Sequence, residues 1–109
     1  MAQKVLAVCG IGMVRSVAMT YALKAKGFDA LAMGVRAQGE DTKLMLYQWA
    51  DIIIAMAKDV MELIPPEYRN AKTVLCDVGP DTYHTPMHPD LQRQVHDCLG
   101  RLIGPSQSG

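Results

Sequence analysis

Apolar residues in this chain fall into short, β-branched runs separated by longer segments of helical period. Residues 4–9, 30–35, 51–57 and 73–77 are nearly continuous in apolar side chains, the pattern of strands covered on both faces. Between the first two runs, Val14, Val17, Ala18, Tyr21, Ala22 and Ala25 recur at three- and four-residue spacing. That spacing predicts a helix with one buried stripe, ended at Gly27. Residues 41–50 predict a second helix with Asp41 as its capping residue, and residues 58–64 a short third one stopped by Pro65-Pro66. Pro89 suits the first turn of the last helix, whose apolar face is Leu91, Val95, Cys98, Leu99 and Leu102 until Gly104-Pro105 interrupts it. Strands alternating with helices predict an α/β fold, a single three-layer domain with a four-stranded parallel sheet flanked by helices. The domain is expected over residues 1–104, with residues 105–109 a flexible tail and residues 78–89 a long polar loop.

Composition narrows the function classes. The chain has 109 residues, half of them apolar, with 11 basic and 11 acidic side chains and therefore no formal net charge. That length supports one core. Charge balance removes the simplest argument for a nucleic-acid or anionic-membrane partner, which needs an excess of Lys and Arg. The most apolar stretch, residues 52–57, is far short of the roughly 20 residues of a membrane span. The N-terminal residues run into a strand-like segment without the apolar region of a signal peptide, so a cytoplasmic location is expected. Three cysteines with no CxxC pair are expected to remain thiols in such a reducing compartment. Cys76 and Cys98 fall on strand and helix core positions, which leaves Cys9 for chemistry.

The segment that carries chemistry is Val8-Cys9-Gly10-Ile11-Gly12-Met13-Val14-Arg15-Ser16. A cysteine ends a strand, two glycines follow, and an arginine opens a helix. Glycines let successive N–H groups turn inward, and the helix N-terminus adds partial positive charge, so residues 10–16 read as a cradle for a phosphate. Such a field favours thiolate, the nucleophilic form of cysteine, at Cys9. Arg15 can grip two phosphate oxygens with its planar fork, and the Ser16 hydroxyl can donate to the sulfur. A Walker loop would require Gly-Lys-Ser/Thr, and a dinucleotide fingerprint a third glycine where Arg15 stands. Taken singly, a strand-end cysteine is most often a small buried hydrophobe and an arginine a surface charge. Their combination at a strand-to-helix junction is what carries the reading.

Cys9, five intervening residues, then Arg15-Ser16 after the first strand resembles the phosphate loop of the low-molecular-weight protein tyrosine phosphatases. Residues 50–56 are similar to that family's third-strand segment, and Asp81-Thr82-Tyr83 stands where the family has its general-acid loop, with Thr82 in place of proline. Ile11 and Gly12 replace the usual loop glycine and asparagine, and Val14 the second loop cysteine of many members. The resemblance covers about residues 4–102 and implies hydrolysis of a phosphomonoester, with a phosphorylated substrate such as a phosphotyrosine protein as partner, without metal or cofactor. In it Cys9 is the nucleophile, Arg15 and Gly10, Ile11, Gly12, Met13, Val14 and Ser16 hold phosphate, Asp81 is the general acid, and Tyr83 walls the substrate entrance. Asp77, at the end of the fourth strand, is the rival acid. An alternative is a phosphocysteine carrier: Cys9-Gly10-Ile11-Gly12 and Ser16 also resemble the B components of the sugar phosphotransferase system, which generally lack an arginine at position 15. A non-catalytic phosphate-binding module is a third reading.

His84, His88, His96 and Cys98 raise the question of zinc, yet no Cys pair or His-Glu motif completes a ligand set. His88 is better placed to cap the last helix. Tyr47 and Trp49 read as core or contact residues before entrance residues, and the eight methionines as packing.

Overall fold

The computed structural model describes residues 3–10, 14–79 and 83–103. Four strands, β1 (Lys4–Cys9), β2 (Asp29–Gly34), β3 (Ile52–Ala55) and β4 (Thr73–Leu75), alternate with helices α1 (Val14–Ala25), α2 (Glu40–Trp49), α3 (Lys58–Leu63), α4 (Pro66–Lys72) and α5 (Pro89–Ile103). The strands form one parallel sheet in the order β2-β1-β3-β4. This is the α/β architecture with helices on both faces that the strand-helix alternation predicts.

Each strand supplies both layers because successive side chains alternate across the pleat. Val5, Ala7 and Cys9 of β1 face the layer built from Ala18, Met19, Ala22 and Leu23 of α1 and Leu91, Val95, Cys98 and Leu99 of α5. Leu6 and Val8 face the opposite layer, with Met33, Tyr47, Ile53, Val60 and Ile64. Burying a side chain of leucine or methionine size stabilises the fold by roughly 1.5–3 kcal/mol, and the fully buried set includes Leu6, Met19, Leu23, Met33, Leu91 and Leu99.

The structure corrects several expectations. The buried stripe of α1 is rotated from the expected one: Tyr21 and Ala25 are exposed, and Met19 and Leu23 point inward. The sheet and α5 sit on that side, and contact with them outweighs the bare periodicity. Helix α2 is capped by Gly39 without a side-chain hydrogen bond, so Asp41 lies in its first turn. There the carboxylate still meets the favourable end of the helix dipole. The prolines do more than stop α3, since Pro65 is the N-cap of α4 and Pro66 opens it. Proline is tolerated at that position because its missing N–H would have no partner there. Arg69 of α4 then donates to the carbonyls of Ile64 and Glu62 at the end of α3, tying the two short helices together.

The largest correction concerns the cysteines. Cys76 and Cys98 are core residues, but they are joined as a disulfide, while Cys9 is the free cysteine. The extension of β4 beyond Leu75 runs under α5 and sets the two Cα atoms 5.9 Å apart, within the range a disulfide spans. A separation of 22 residues hides that proximity from the sequence. Tyr47 is buried core, as expected, and its ring packs on Tyr68 with centroids 5.3 Å apart.

Candidate active site

In an open α/β sheet, ligands bind beyond the carboxyl ends of the strands where the strand order reverses. Here β1 continues through α1 to β2 on one side, and the chain later returns to β3 on the other. That rule places the candidate site where β1 ends, at Cys9. Neighbouring strands grip that end. Val35 N–H donates to the Cys9 carbonyl at 2.7 Å, and Met56 N–H to the Val8 carbonyl at 2.9 Å. Cysteine at this position has its backbone fixed on both sides.

The Cys9 sulfur lies 3.0 Å from Ser16 Oγ, and both groups are buried. Ser16 is held in turn by its place in the first turn of α1, where its carbonyl accepts from Thr20 Oγ1 at 2.8 Å. A hydroxyl oriented on a sulfur stabilises thiolate when it donates. Arg15 is 6% exposed, so it is a buried cation beside a buried cysteine. Its Nη1 donates to the carbonyl of Gly79 at 3.0 Å. This contact joins the start of α1 to the loop after β4, 64 residues away. Gly79 has φ +86°, a conformation that costs other residues roughly 1–2 kcal/mol. The turn is closed by Asp77 Oδ1, which accepts the Gly79 N–H at 2.9 Å. Asp77 is exposed and acts as a turn former.

The remaining expected residues divide into three groups. Gly10 is buried and described; Val14 opens α1 and packs on the core. Ile11, Gly12, Met13 and Asp81 lie outside the described residues, as do Thr82 and the expected tail, residues 105–109. Tyr83 is half-buried. Its ring meets His88 edge-on with centroids 5.0 Å apart, and its hydroxyl accepts from Gln94 Nε2 at 2.6 Å. His88 caps α5 as expected, with Nδ1 accepting the Asp90 N–H at 3.1 Å. Among the described residues no group of three or more His, Cys, Asp or Glu side chains is placed to hold a metal ion, and no helix is long and apolar enough to cross a membrane.

Two residues at this end of the sheet escaped the sequence reading. Arg36 follows β2 as Arg15 follows β1, and its N–H donates to the Gly10 carbonyl at 3.3 Å. Asp59, in the first turn of α3, pairs with the Arg36 guanidinium at 3.6 Å. The signal available in the sequence was positional: both follow strands, and the carboxyl ends of parallel strands share one edge.

The fold is that of the cysteine-dependent low-molecular-weight phosphatases. Wzb of Vibrio vulnificus, solved in complex with benzylphosphonate, matches with a TM-score of 0.66 at 19% identity, covering 98% of each chain. The tyrosine phosphatase Wzb of Escherichia coli K30, solved with phosphate, matches with a TM-score of 0.68 at 18% identity, over 94% of this chain and 96% of that one. YwlE arginine phosphatase of Geobacillus stearothermophilus matches with a TM-score of 0.67 at 17% identity, over 96% and 95%. No protein-family model and no curated protein sequence matches the chain.

Proposed function

We propose that this protein is a phosphomonoester hydrolase of the tyrosine phosphatase type, working through a phosphocysteine on Cys9. The Cys9 thiolate attacks phosphorus; an S–P bond forms, the P–O bond to the leaving group breaks, and Asp81 gives its proton to the departing oxygen. Water then attacks the phosphocysteine, its proton passes to Asp81, and thiolate and inorganic phosphate are released. Arg15 and the N–H groups of residues 10–16 bear the charge that develops on the equatorial oxygens.

The observation that carries this reading is the buried triplet of Cys9, Ser16 and Arg15, with sulfur and hydroxyl 3.0 Å apart. Burying an arginine beside a strand-end thiol is costly unless an anion or a network uses it. A pure phosphate carrier has no such need, so Arg15 favours hydrolysis over relay. Asp81 is preferred over Asp77 as the acid because the Asp77 carboxylate is engaged in the turn at Gly79. The fold alone does not choose between an aryl phosphate and phosphoarginine, since its neighbours include phosphatases of both. Tyr83, next to Asp81 in sequence, supports the aryl ester through an aromatic surface.

Release of p-nitrophenol from its phosphate, in the presence of a chelator, tests the proposal. Activity is expected in the parent protein and its loss in Cys9→Ser and Arg15→Ala. Turnover surviving in Cys9→Ser would sink the mechanism. Binding of phosphopeptide by parent and Cys9→Ser alike, with every phosphoester left intact, would support the binding module instead.

A further inference from the structure

The rim of the site carries a second cation. The backbone places it: consecutive N–H groups of Val35 and Arg36 donate to the consecutive carbonyls of Cys9 and Gly10. Lys43 steadies the same segment by donating from Nζ to the Val35 carbonyl at 3.3 Å. The side chain of Arg36 then folds over Gly10. A β-carbon on Gly10 would stand 3.7 Å from Arg15 Nη2 and 3.8 Å from Arg36 Nη1. Two guanidinium groups thus converge on one spot beside the residue that follows the nucleophile, and glycine leaves that spot uncovered.

Like charges converge at a cost unless an anion lies between or beside them. In the proposed mechanism Arg15 faces the ester phosphate. The acidic side chain paired with Arg36 is Asp59, whose Oδ2 is 3.6 Å from Nη1, with the two side chains 47% and 63% exposed. A pair that is exposed and longer than a hydrogen bond contributes little and is easily exchanged. A planar guanidinium matches a carboxylate or phosphate in a forked geometry that this contact does not use.

We propose that Arg36 is a specificity-determining residue that receives a second anion of the substrate. The substrate class is then a phosphomonoester whose leaving group carries its own carboxylate or phosphate near the ester oxygen. That anion replaces Asp59 on Arg36 while the ester phosphate sits against Arg15. Asp59 holds the arginine over the rim in the empty site and offers a competing charge that a neutral leaving group does not displace. The inference rests on the phosphatase reading and adds the substrate's second charge to it.

The test compares phenyl phosphate, meta-carboxyphenyl phosphate and meta-phenylene bisphosphate as substrates of the parent protein, Arg36→Gln and Asp59→Asn. Intrinsic leaving-group reactivity is the same for every protein, so it cancels when the preference for a charged substrate is compared between variants. Arg36→Gln is expected to lower that preference about tenfold, mainly through KM, as loss of a charge-assisted contact does. Asp59→Asn is expected to raise it, and added salt to reduce it in the parent. The carboxylate and bisphosphate arms report which anion is preferred. A preference unchanged in Arg36→Gln overturns the proposal, as does a preference that falls in Asp59→Asn. Calorimetric binding of phenylphosphonate and meta-carboxyphenylphosphonate to the same three proteins gives the comparison without turnover. Absence of turnover together with an Arg36-dependent affinity ratio means that the hydrolase reading has failed and the second anion site stands. An affinity ratio insensitive to Arg36 overturns the site itself.

Discussion

Arg15 donates from Nη1 to the carbonyl of Gly79 at 3.0 Å, so one guanidinium joins the start of α1 to the loop that follows β4. The guanidinium that we propose grips phosphate oxygens is thus also bonded to the turn at Gly79. Lysine carries the charge without the fork. Arg15→Lys is therefore expected to lose at least about a hundredfold in kcat/KM on p-nitrophenyl phosphate. Gly79→Ala, which strains the positive φ, is expected to lower both activity and the thermal midpoint. Near-parent activity in Arg15→Lys would show that charge alone suffices.

The two candidate acids, Asp77 and Asp81, separate by substitution. Asp81→Asn is expected to slow hydrolysis by about two to four orders of magnitude for poor leaving groups and less for good ones, because only a poor leaving group needs the proton. Asp77→Asn is expected to change little, since an asparagine oxygen accepts the Gly79 N–H as an aspartate oxygen does. The reverse pattern, with the leaving-group dependence appearing in Asp77→Asn, would transfer the acid role to Asp77.

Tyr47 sets an alkaline limit on stability. It is 2% exposed and its hydroxyl has no hydrogen-bond partner among the described residues. Burial first, and the charge of Glu40 second, push its pKa from 10.0 to about 12. The unfolded chain therefore ionises this phenol first. Its contribution to stability is full below about pH 10 and is lost as pH rises through about 12. Tyr47→Phe removes the titration and the unsatisfied hydroxyl together. Urea unfolding at pH 7 and pH 11 is expected to show the variant at least as stable as the parent at neutrality and less weakened at pH 11. An equal alkaline loss in both proteins would contradict the assignment.

The pairing of Cys76 with Cys98 is open to a thiol count. Unfolded without reductant, the protein is expected to show one reactive thiol, Cys9, and after reduction three. The closed loop, with a separation of 22 residues, predicts that Cys76→Ala with Cys98→Ala lowers unfolding free energy by about 2–4 kcal/mol. Three thiols before reduction would remove the bond.

The legible part of the site was local. Cys9, Arg15 and Ser16 lie within eight residues of one another at a strand-to-helix junction, so their meeting follows from the geometry of one turn and the first turn of a helix. The strands were legible for a similar reason, since burial on both faces leaves an unbroken apolar run. His88 as the cap of α5 was legible because capping acts over two or three residues. Helix α4 was not. Its seven residues, PEYRNAK, have no apolar period, and it is held by Arg69 and by the ring of Tyr68 against Tyr47.

By itself, then, the sequence determined the α/β alternation, the placement of a thiol, an arginine and a hydroxyl around one loop, and the absence of a net charge. Tertiary structure decided everything that depends on residues far apart in the chain. It decided that β1 lies between β2 and β3, which brings Arg36 onto Gly10 across 26 residues and Gly79 onto Arg15 across 64. It decided the face α1 buries and the union of Cys76 with Cys98. The physical reason is common to all of these. Propensity and periodicity act within one or two turns, whereas strand order and helix docking follow from how whole apolar faces are covered, and no single segment of the chain encodes them.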